Sequence, residues 1–222
     1  MKKLVLAATT ALATLAMAGS ANAIQLTAFG QTSGSNTVTA TANVGLTATH
    51  IAVTNATVGI TQILGGIPVN ARFTLSADST DAATLVAGAV VLQHYAGSFC
   101  LTSAVGCGGI NYLSGNFSDA VVGKAGGPGI VVNVNSPPDT LALTSSVINV
   151  ANLASPNTFN LSFSNVGPLV GICGTTICAF RASFSGTSSG VGVPEPASLA
   201  VMGMGLLGFG FFFRRKRSSP QA

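Results

Sequence analysis

Apolar and polar residues alternate along much of the chain, which predicts β-strands that each bury one face. A period of two places every second side chain on the same side of an extended strand. Five segments show this alternation: 37–44, 72–76, 132–135, 159–164 and 180–185. Residues 85–92 form a continuous apolar run instead, and periodicity leaves open whether this run is a buried strand or a short helix.

Turn signals separate the alternating segments. The clearest are the glycine pairs at 65–66 and 108–109, the Gly-Gly-Pro-Gly stretch at 126–129 and the Ser-Pro-Pro-Asp stretch at 136–139. Short strands between such breaks, with almost no helical period, predict an all-β fold and a single β-sandwich-like domain over residues 24–184. Residues 185–192 are rich in Ser, Gly and Thr, and we predict a flexible tether there.

The N-terminal segment predicts a signal peptide over residues 1–23. Two lysines follow Met1, and an apolar stretch of mainly Ala and Leu extends over residues 4–18. Ala21 and Ala23 form a small-x-small cleavage site, so the mature chain is expected to begin at Ile24. The alternative is a retained transmembrane helix, which the small residues at 16–23 and the lack of a stop-transfer charge disfavour.

The C-terminal segment predicts a membrane helix followed by a basic stop. Residues 197–213 carry no charge, and as a helix they span about 25 Å, against a hydrocarbon core about 30 Å thick. The span ends in three phenylalanines and is followed by Arg214, Arg215, Lys216 and Arg217, which argues against a buried helix of a soluble core. Because basic residues stay cytoplasmic, we expect the tail inside and the body outside.

A short motif stands directly before this span. It consists of Val193, Pro194, Glu195, Pro196 and Ala197. With the span and the basic stop, and in a chain that has a signal peptide, the motif resembles the C-terminal signal of the PEP-CTERM proteins of bacteria. The resemblance covers residues 193–217 only.

The resemblance implies a sorting and processing role for these residues. It implies a precursor that is exported across the inner membrane, anchored through its C-terminal helix and processed at the motif by an exosortase-type transpeptidase. The product is then expected in the periplasm, at the cell surface or outside the cell. The resemblance also associates such proteins with exopolysaccharide and the extracellular matrix, although fold or family alone does not give a mechanism.

Charge is concentrated in the two targeting segments. The whole chain has a formal net charge of +4, but the body is nearly neutral. Between residues 24 and 192 the charged residues are the bases Arg72, Lys124 and Arg181 and the acids Asp78, Asp81, Asp119 and Asp139. No basic surface is therefore available to neutralise phosphates, and we do not expect nucleic acid as a partner.

The four cysteines form two close pairs, Cys100 with Cys107 and Cys173 with Cys178. Cysteines of an exported chain usually close as disulfides in an oxidising compartment. Three connectivities are possible, and local pairing is the simplest because each bond closes a short glycine-containing loop. A zinc site is the rival interpretation, but the spacings fit zinc knuckles poorly.

Chemistry-bearing motifs are scarce in the body. His50 and His94 are the only histidines, and we expect structural roles for both at strand ends. Asp78 and Asp81 lack the further oxygen ligands of a calcium loop, so we expect a solvated turn. The spaced glycines at 203–208 and the Gly-x-Ser-x-Gly match at 186–190 lack the strand and helix context that their motifs need. We expect no catalytic residues, no metal and no cofactor.

These observations favour a non-catalytic, exported structural protein of the cell surface or extracellular matrix. The alternative is a carbohydrate-binding β-sandwich. Such sites use exposed aromatic rings as platforms for sugars, and here Trp is absent and only Tyr95 and Tyr112 offer amphipathic rings, which weakens this alternative. A secreted hydrolase that depends on His50 or His94 is the third hypothesis, and the sequence supports it least.

Overall fold

The computed structural model describes residues 23–192, apart from residues 35, 65, 67, 125, 137 and 138. Within this part the chain forms thirteen strands and one turn of 3₁₀ helix, Val150–Asn152. The strands are β1 (Ala23–Gln31), β2 (Val38–Ala42), β3 (Thr49–Ile63), β4 (Val69–Ser79), β5 (Thr84–Val86), β6 (Val90–Thr102), β7 (Asn111–Lys124), β8 (Ile130–Ser136), β9 (Thr140–Thr144), β10 (Leu153–Gly167), β11 (Ile172–Cys173), β12 (Thr176–Ile177) and β13 (Phe180–Gly192). The all-β prediction is confirmed.

None of the helical structure in the described part is long and apolar enough to cross a membrane. The helix predicted at about 197–213 and the signal peptide up to Asn22 lie outside the described residues.

The strands form one large sheet and one small hairpin. Neighbours in the large sheet follow the order β5-β6-β4-β3-β1-β13-β10-β8-β7-β9, with β2 beside β3 and β13. β6 also pairs with β7 along its whole length, from Val90 opposite Lys124 to Thr102 opposite Asn111. The path of hydrogen-bonded strands therefore returns on itself, and the sheet curls over a shared core. β11 and β12 pair separately as a two-stranded hairpin.

The core is built from the inward-facing residues of the alternating strands. Phe99 on β6 and Phe159 on β10 stack with ring centroids 3.9 Å apart. Phe73 on β4 lies 5.0 Å from Phe184 on β13, again between strands that are not neighbours in the sheet. Such aromatic pairs bury a large apolar area in a defined geometry. The alternation therefore predicted the inward face correctly at Phe73, Phe159 and Phe184.

The predicted tether at 185–192 is wrong. These residues form the second half of β13, which pairs with β1 from Gly30 opposite Ser185 to Ala23 opposite Val191. The compact domain accordingly spans Ala23–Val191 and does not stop at residue 184. The small residues reflect close packing, since a side chain on Gly186 would clash with the ring of Phe29.

The continuous apolar run at 85–92 is neither one strand nor a helix. It contains the end of β5, a tight turn and the start of β6, and Leu85 pairs with Val91. Ala87 and Gly88 in the turn have positive φ angles of 51° and 71°. A conformation of this kind closes a short hairpin, which the apolar composition concealed.

The sheet has two ends, which we call the terminal end and the distal end. At the terminal end, β1 begins, β13 finishes, and the loops at 64–68, 103–110 and 145–149 connect strands. At the distal end lie the loops at 43–48, 80–89 and 124–129 and the segment 168–179 that includes the β11–β12 hairpin. The chain therefore leaves the domain toward the C-terminal segment from the terminal end.

Candidate functional site

Both predicted disulfides are present. Cys100 bonds to Cys107 at the terminal end, with the Cα atoms 5.7 Å apart. Cys173 bonds to Cys178 at the distal end, with the Cα atoms 4.9 Å apart. The described residues contain no free cysteine. Each bond closes a short loop, as the local pairing in the sequence predicted.

Asn55 ties the first disulfide loop to the sheet. It lies at a register shift between β3 and β4 and has a positive φ angle of 49°, which Asn tolerates better than most residues. Its Oδ1 accepts hydrogen bonds from the Gly106 N–H at 2.7 Å and from the Thr74 hydroxyl at 3.3 Å. The amide thus fixes the loop that ends in Cys107 against the two strands.

The second disulfide hairpin is fixed by a buried polar network around Gln93. The Nε2 of Gln93 donates to the Asp81 carbonyl at 2.8 Å and to the Thr176 hydroxyl at 2.9 Å. Its Oε1 accepts from the Ile177 N–H at 3.0 Å and from the Tyr95 hydroxyl at 3.1 Å. Gln93 is fully buried, and these bonds replace the hydrogen bonds to water that its amide group loses on burial. The sequence signal for this network, which sequence reasoning missed, is a polar residue, Gln93, at an inward-facing position of β6.

Tyr95 belongs to this network and cannot serve as a sugar platform. Its side chain is 1% exposed. Burial raises the pKa of Tyr95 well above its usual range, and the negative charge of nearby Asp81 adds a smaller upward contribution. A side-chain hydrogen bond with Thr49 lowers the pKa and offsets part of this shift. Tyr112 is half-buried and packs against the core. The aromatic residues that the carbohydrate hypothesis relied on are therefore largely unavailable.

Both histidines pair with aspartates on the outer surface near the distal end. His50 donates from Nδ1 to Asp78 at 2.8 Å. His94 donates from Nδ1 to Asp81 at 2.5 Å, and its backbone N–H donates to the same carboxylate at 2.8 Å. Among the described residues, no hydroxyl bonds to either Nε2, and no group of three or more potential metal ligands occurs. Each aspartate thus orients a histidine at the surface of the domain.

A groove crosses the outer face of four neighbouring strands, β3, β1, β13 and β10, and the larger part of its exposed surface is apolar. It has a volume of about 280 Å³, and Ala28 and Gly30 form part of its floor. Phe29 also lines the groove. The polar side chains in the lining carry hydroxyl or amide groups and no charge: Thr61, Asn160, Ser162, Ser185 and Thr187. The groove therefore offers neutral hydrogen-bond donors and acceptors. Sequence reasoning missed it because it depends on the order of strands that are distant along the chain.

The first and last described residues adjoin the two predicted processing points in the sequence. Ala23, the last residue of the predicted signal peptide, is the first residue of β1 and lies opposite Val191 on β13. β13 finishes at Gly192, immediately before Val193, the first residue of the predicted motif. Ala21, residues 193–197 and the basic residues 214–217 lie outside the described residues. Both ends of the described chain therefore lie side by side at the terminal end.

Comparison with known proteins bears on the C-terminal segment alone. The family model of the PEP-CTERM protein-sorting motif matches residues 192–217, which include the Pro194-Glu195-Pro196 tripeptide and the basic stop. No curated protein and no solved structure matches the chain. The motif implies an exported, membrane-anchored precursor that an exosortase processes. The chain therefore carries a PEP-CTERM protein-sorting motif, joined directly to the last strand of its β domain.

Proposed function

We propose that this chain is a non-catalytic structural protein of the bacterial cell surface or extracellular matrix. Its β domain is the part that remains in place, and residues 193–217 deliver it and are then processed near Pro194-Glu195-Pro196. The observation that carries the proposal is the sorting motif, which begins at Gly192, the last residue of β13. The delivered product is thus a folded domain with no separate tether.

The chemistry of the domain supports a structural role. Two disulfides close loops at opposite ends of the sheet and suit an oxidising compartment. Both histidines are held by aspartates, and no nucleophile is placed beside them in the described part. A hydrolase needs an activated nucleophile or a positioned acid and base, so this third hypothesis gains no support.

A chain that stops after Gly192 tests the proposal. We expect it to fold and to be exported, because the domain and the N-terminal segment are unchanged, but to lose retention in the membrane fraction. Fractionation and immunoblotting of the truncated and complete chains measure this loss. A variant with Ser218→Ala, just outside the matched segment, is the control. Equal membrane retention of all three chains would exclude a sorting role for residues 193–217.

The groove supports carbohydrate binding as a second candidate function. Neutral hydroxyl and amide groups hydrogen-bond to sugars, whereas an acidic or basic ligand would meet no opposite charge among the residues that line it. Without an exposed aromatic platform, we expect weak binding, with a Kd of about 1 mM, which corresponds to about −4 kcal/mol.

Affinity electrophoresis through gels that contain neutral polysaccharides tests the second candidate. We expect retardation of the wild-type protein and loss of retardation in Asn160→Ala/Thr187→Ala. Ser76→Ala, on the outer face of β4 and outside the groove, is the matched control. Equal mobility of the wild type with and without polysaccharide would contradict the candidate.

A further inference from the structure

The distal end of the domain exposes apolar side chains from three separate segments. Leu169 is 56% exposed and Leu85 is 50% exposed. The full set comprises Val44, Leu46, Leu85, Val86, Leu169 and Ile172. We call these six residues the distal apolar surface. Single exposed apolar residues are ordinary, but several on adjoining loops indicate an interaction site.

Backbone hydrogen bonds hold the three segments together. The Thr175 N–H donates to the Leu46 carbonyl at 2.9 Å, and the Ala83 N–H donates to the Thr175 carbonyl at 2.8 Å. Thr175 lies in the turn between β11 and β12, which the Cys173–Cys178 disulfide closes. The apolar side chains are therefore carried on loops that the disulfide hairpin and the Gln93 network fix in place.

Charge is confined to the margin of this surface. Residues 43–48, 83–89 and 168–179 contain no charged side chain. Asp78 and Asp81 with their histidine partners border it on one side. Lys124 borders it on another, because the adjoining Gly126 N–H donates to the Val170 carbonyl at 2.7 Å. An apolar centre with a polar margin is the anatomy of a protein–protein interface.

We propose that the distal apolar surface binds a second copy of this chain. A twofold interface brings the same patch of two copies together, so its margin must be complementary to itself. Here the margin carries both acids and a base, and the nearly neutral body adds little repulsion between copies. The last described strand, β13, finishes at the terminal end, at the opposite end of the sheet from this surface.

A lipid surface fits these residues less well than a second copy does. Segments that enter a membrane interface usually combine apolar residues with Trp or with Lys and Arg. The distal segments at 43–48, 83–89 and 168–179 contain no aromatic residue and no base, and their margin carries two aspartates against the single base Lys124. A protein partner of neutral, apolar character is therefore favoured, and the self-complementary margin selects a copy of the chain itself.

Site-specific photocrosslinking in cells tests the proposal with the complete chain. A photoreactive amino acid replaces Leu169 in one tagged copy, and a second copy carries a different tag. Val105, at 61% exposure on the terminal end, is the matched control position. We expect a crosslinked species with both tags from position 169 and none from position 105. The absence of this species, equal yields at both positions, or crosslinks from position 169 only to lipid or to other proteins would overturn the proposal.

Substitutions on the surface provide a second measurement. We expect Leu46→Ser/Leu85→Ser to lower the yield of the crosslinked species at position 169 by about fivefold or more, since two apolar contacts become polar. Ile110→Ser/Val147→Ser, which changes two exposed residues of the terminal end, should leave the yield unchanged. Melting temperatures of both double variants report whether the fold is retained. If Leu46→Ser/Leu85→Ser fails to fold, the comparison of positions 169 and 105 in the unchanged chain decides the proposal.

Discussion

Replacement of Phe159 by Ala is expected to lower the free energy of unfolding by about 3–5 kcal/mol. Phe159 is fully buried and stacks on Phe99 with an angle of 1° between the ring planes. It also lies 6.5 Å from Phe117, between ring centroids, so its removal opens a cavity between strands from opposite sides of the core. Urea denaturation with the disulfides intact measures the loss.

Val131→Ala is the control for this prediction. Val131 lies on β8, opposite Ser162 of β10, but its side chain is 44% exposed. We expect its replacement to change the free energy of unfolding by about 0.5 kcal/mol or less. A loss below about 1 kcal/mol for Phe159→Ala would contradict a closed core that joins β6 to β10.

The second large effect is expected in the sorting segment. Glu195→Ala should leave insertion of the apolar span intact but abolish recognition by the processing enzyme, so that uncleaved protein accumulates in the membrane fraction. Replacement of Arg214, Arg215, Lys216 and Arg217 by Ser should act differently. Without these cations the tail is no longer held on the cytoplasmic side, and the protein should be released unprocessed or mislocalised.

Charge-conserving variants separate the two roles. Replacement of all three arginines of the basic stop by Lys keeps the charge, and we expect processing as in the wild type. Glu195→Asp keeps the carboxylate but shortens the side chain, and it reports how strictly the processing enzyme requires the carboxylate at its original position. Fractionation and immunoblotting follow the precursor and the product in each case. Wild-type behaviour of both Glu195→Ala and the Ser variant would make the tail a plain anchor with no processing signal.

The alternation in the sequence predicted the class of fold because burial on one face is a local property of each strand. It placed Phe73, Phe159 and Phe184 on inward faces, and all three are buried. The local disulfides were also predictable, since short separations limit the pairing. The order of strands was not predictable, because the pairing of β6 with β7 and of β1 with β13 depends on contacts throughout the domain.

The erroneous tether at 185–192 shows how composition misleads when packing is close. Ser and Gly are typical of flexible linkers, yet Ser188 is buried and its hydroxyl donates to the Thr158 carbonyl at 2.9 Å. Small residues are needed here because β13 lies against Phe29 and the start of β10. The groove and the distal apolar surface were missed for a related reason. Both combine residues from segments that only the fold brings together.

The mass of the intact protein isolated from the cell surface or medium shows whether the C-terminal segment is removed from the exported domain. We expect a chain that begins at Ile24, retains both disulfides and lacks Arg214, Arg215, Lys216 and Arg217. Such a mass shows that the domain was exported and that its C-terminal segment was removed after delivery. A mature product that still carries these four basic residues would contradict processing at the PEP-CTERM motif.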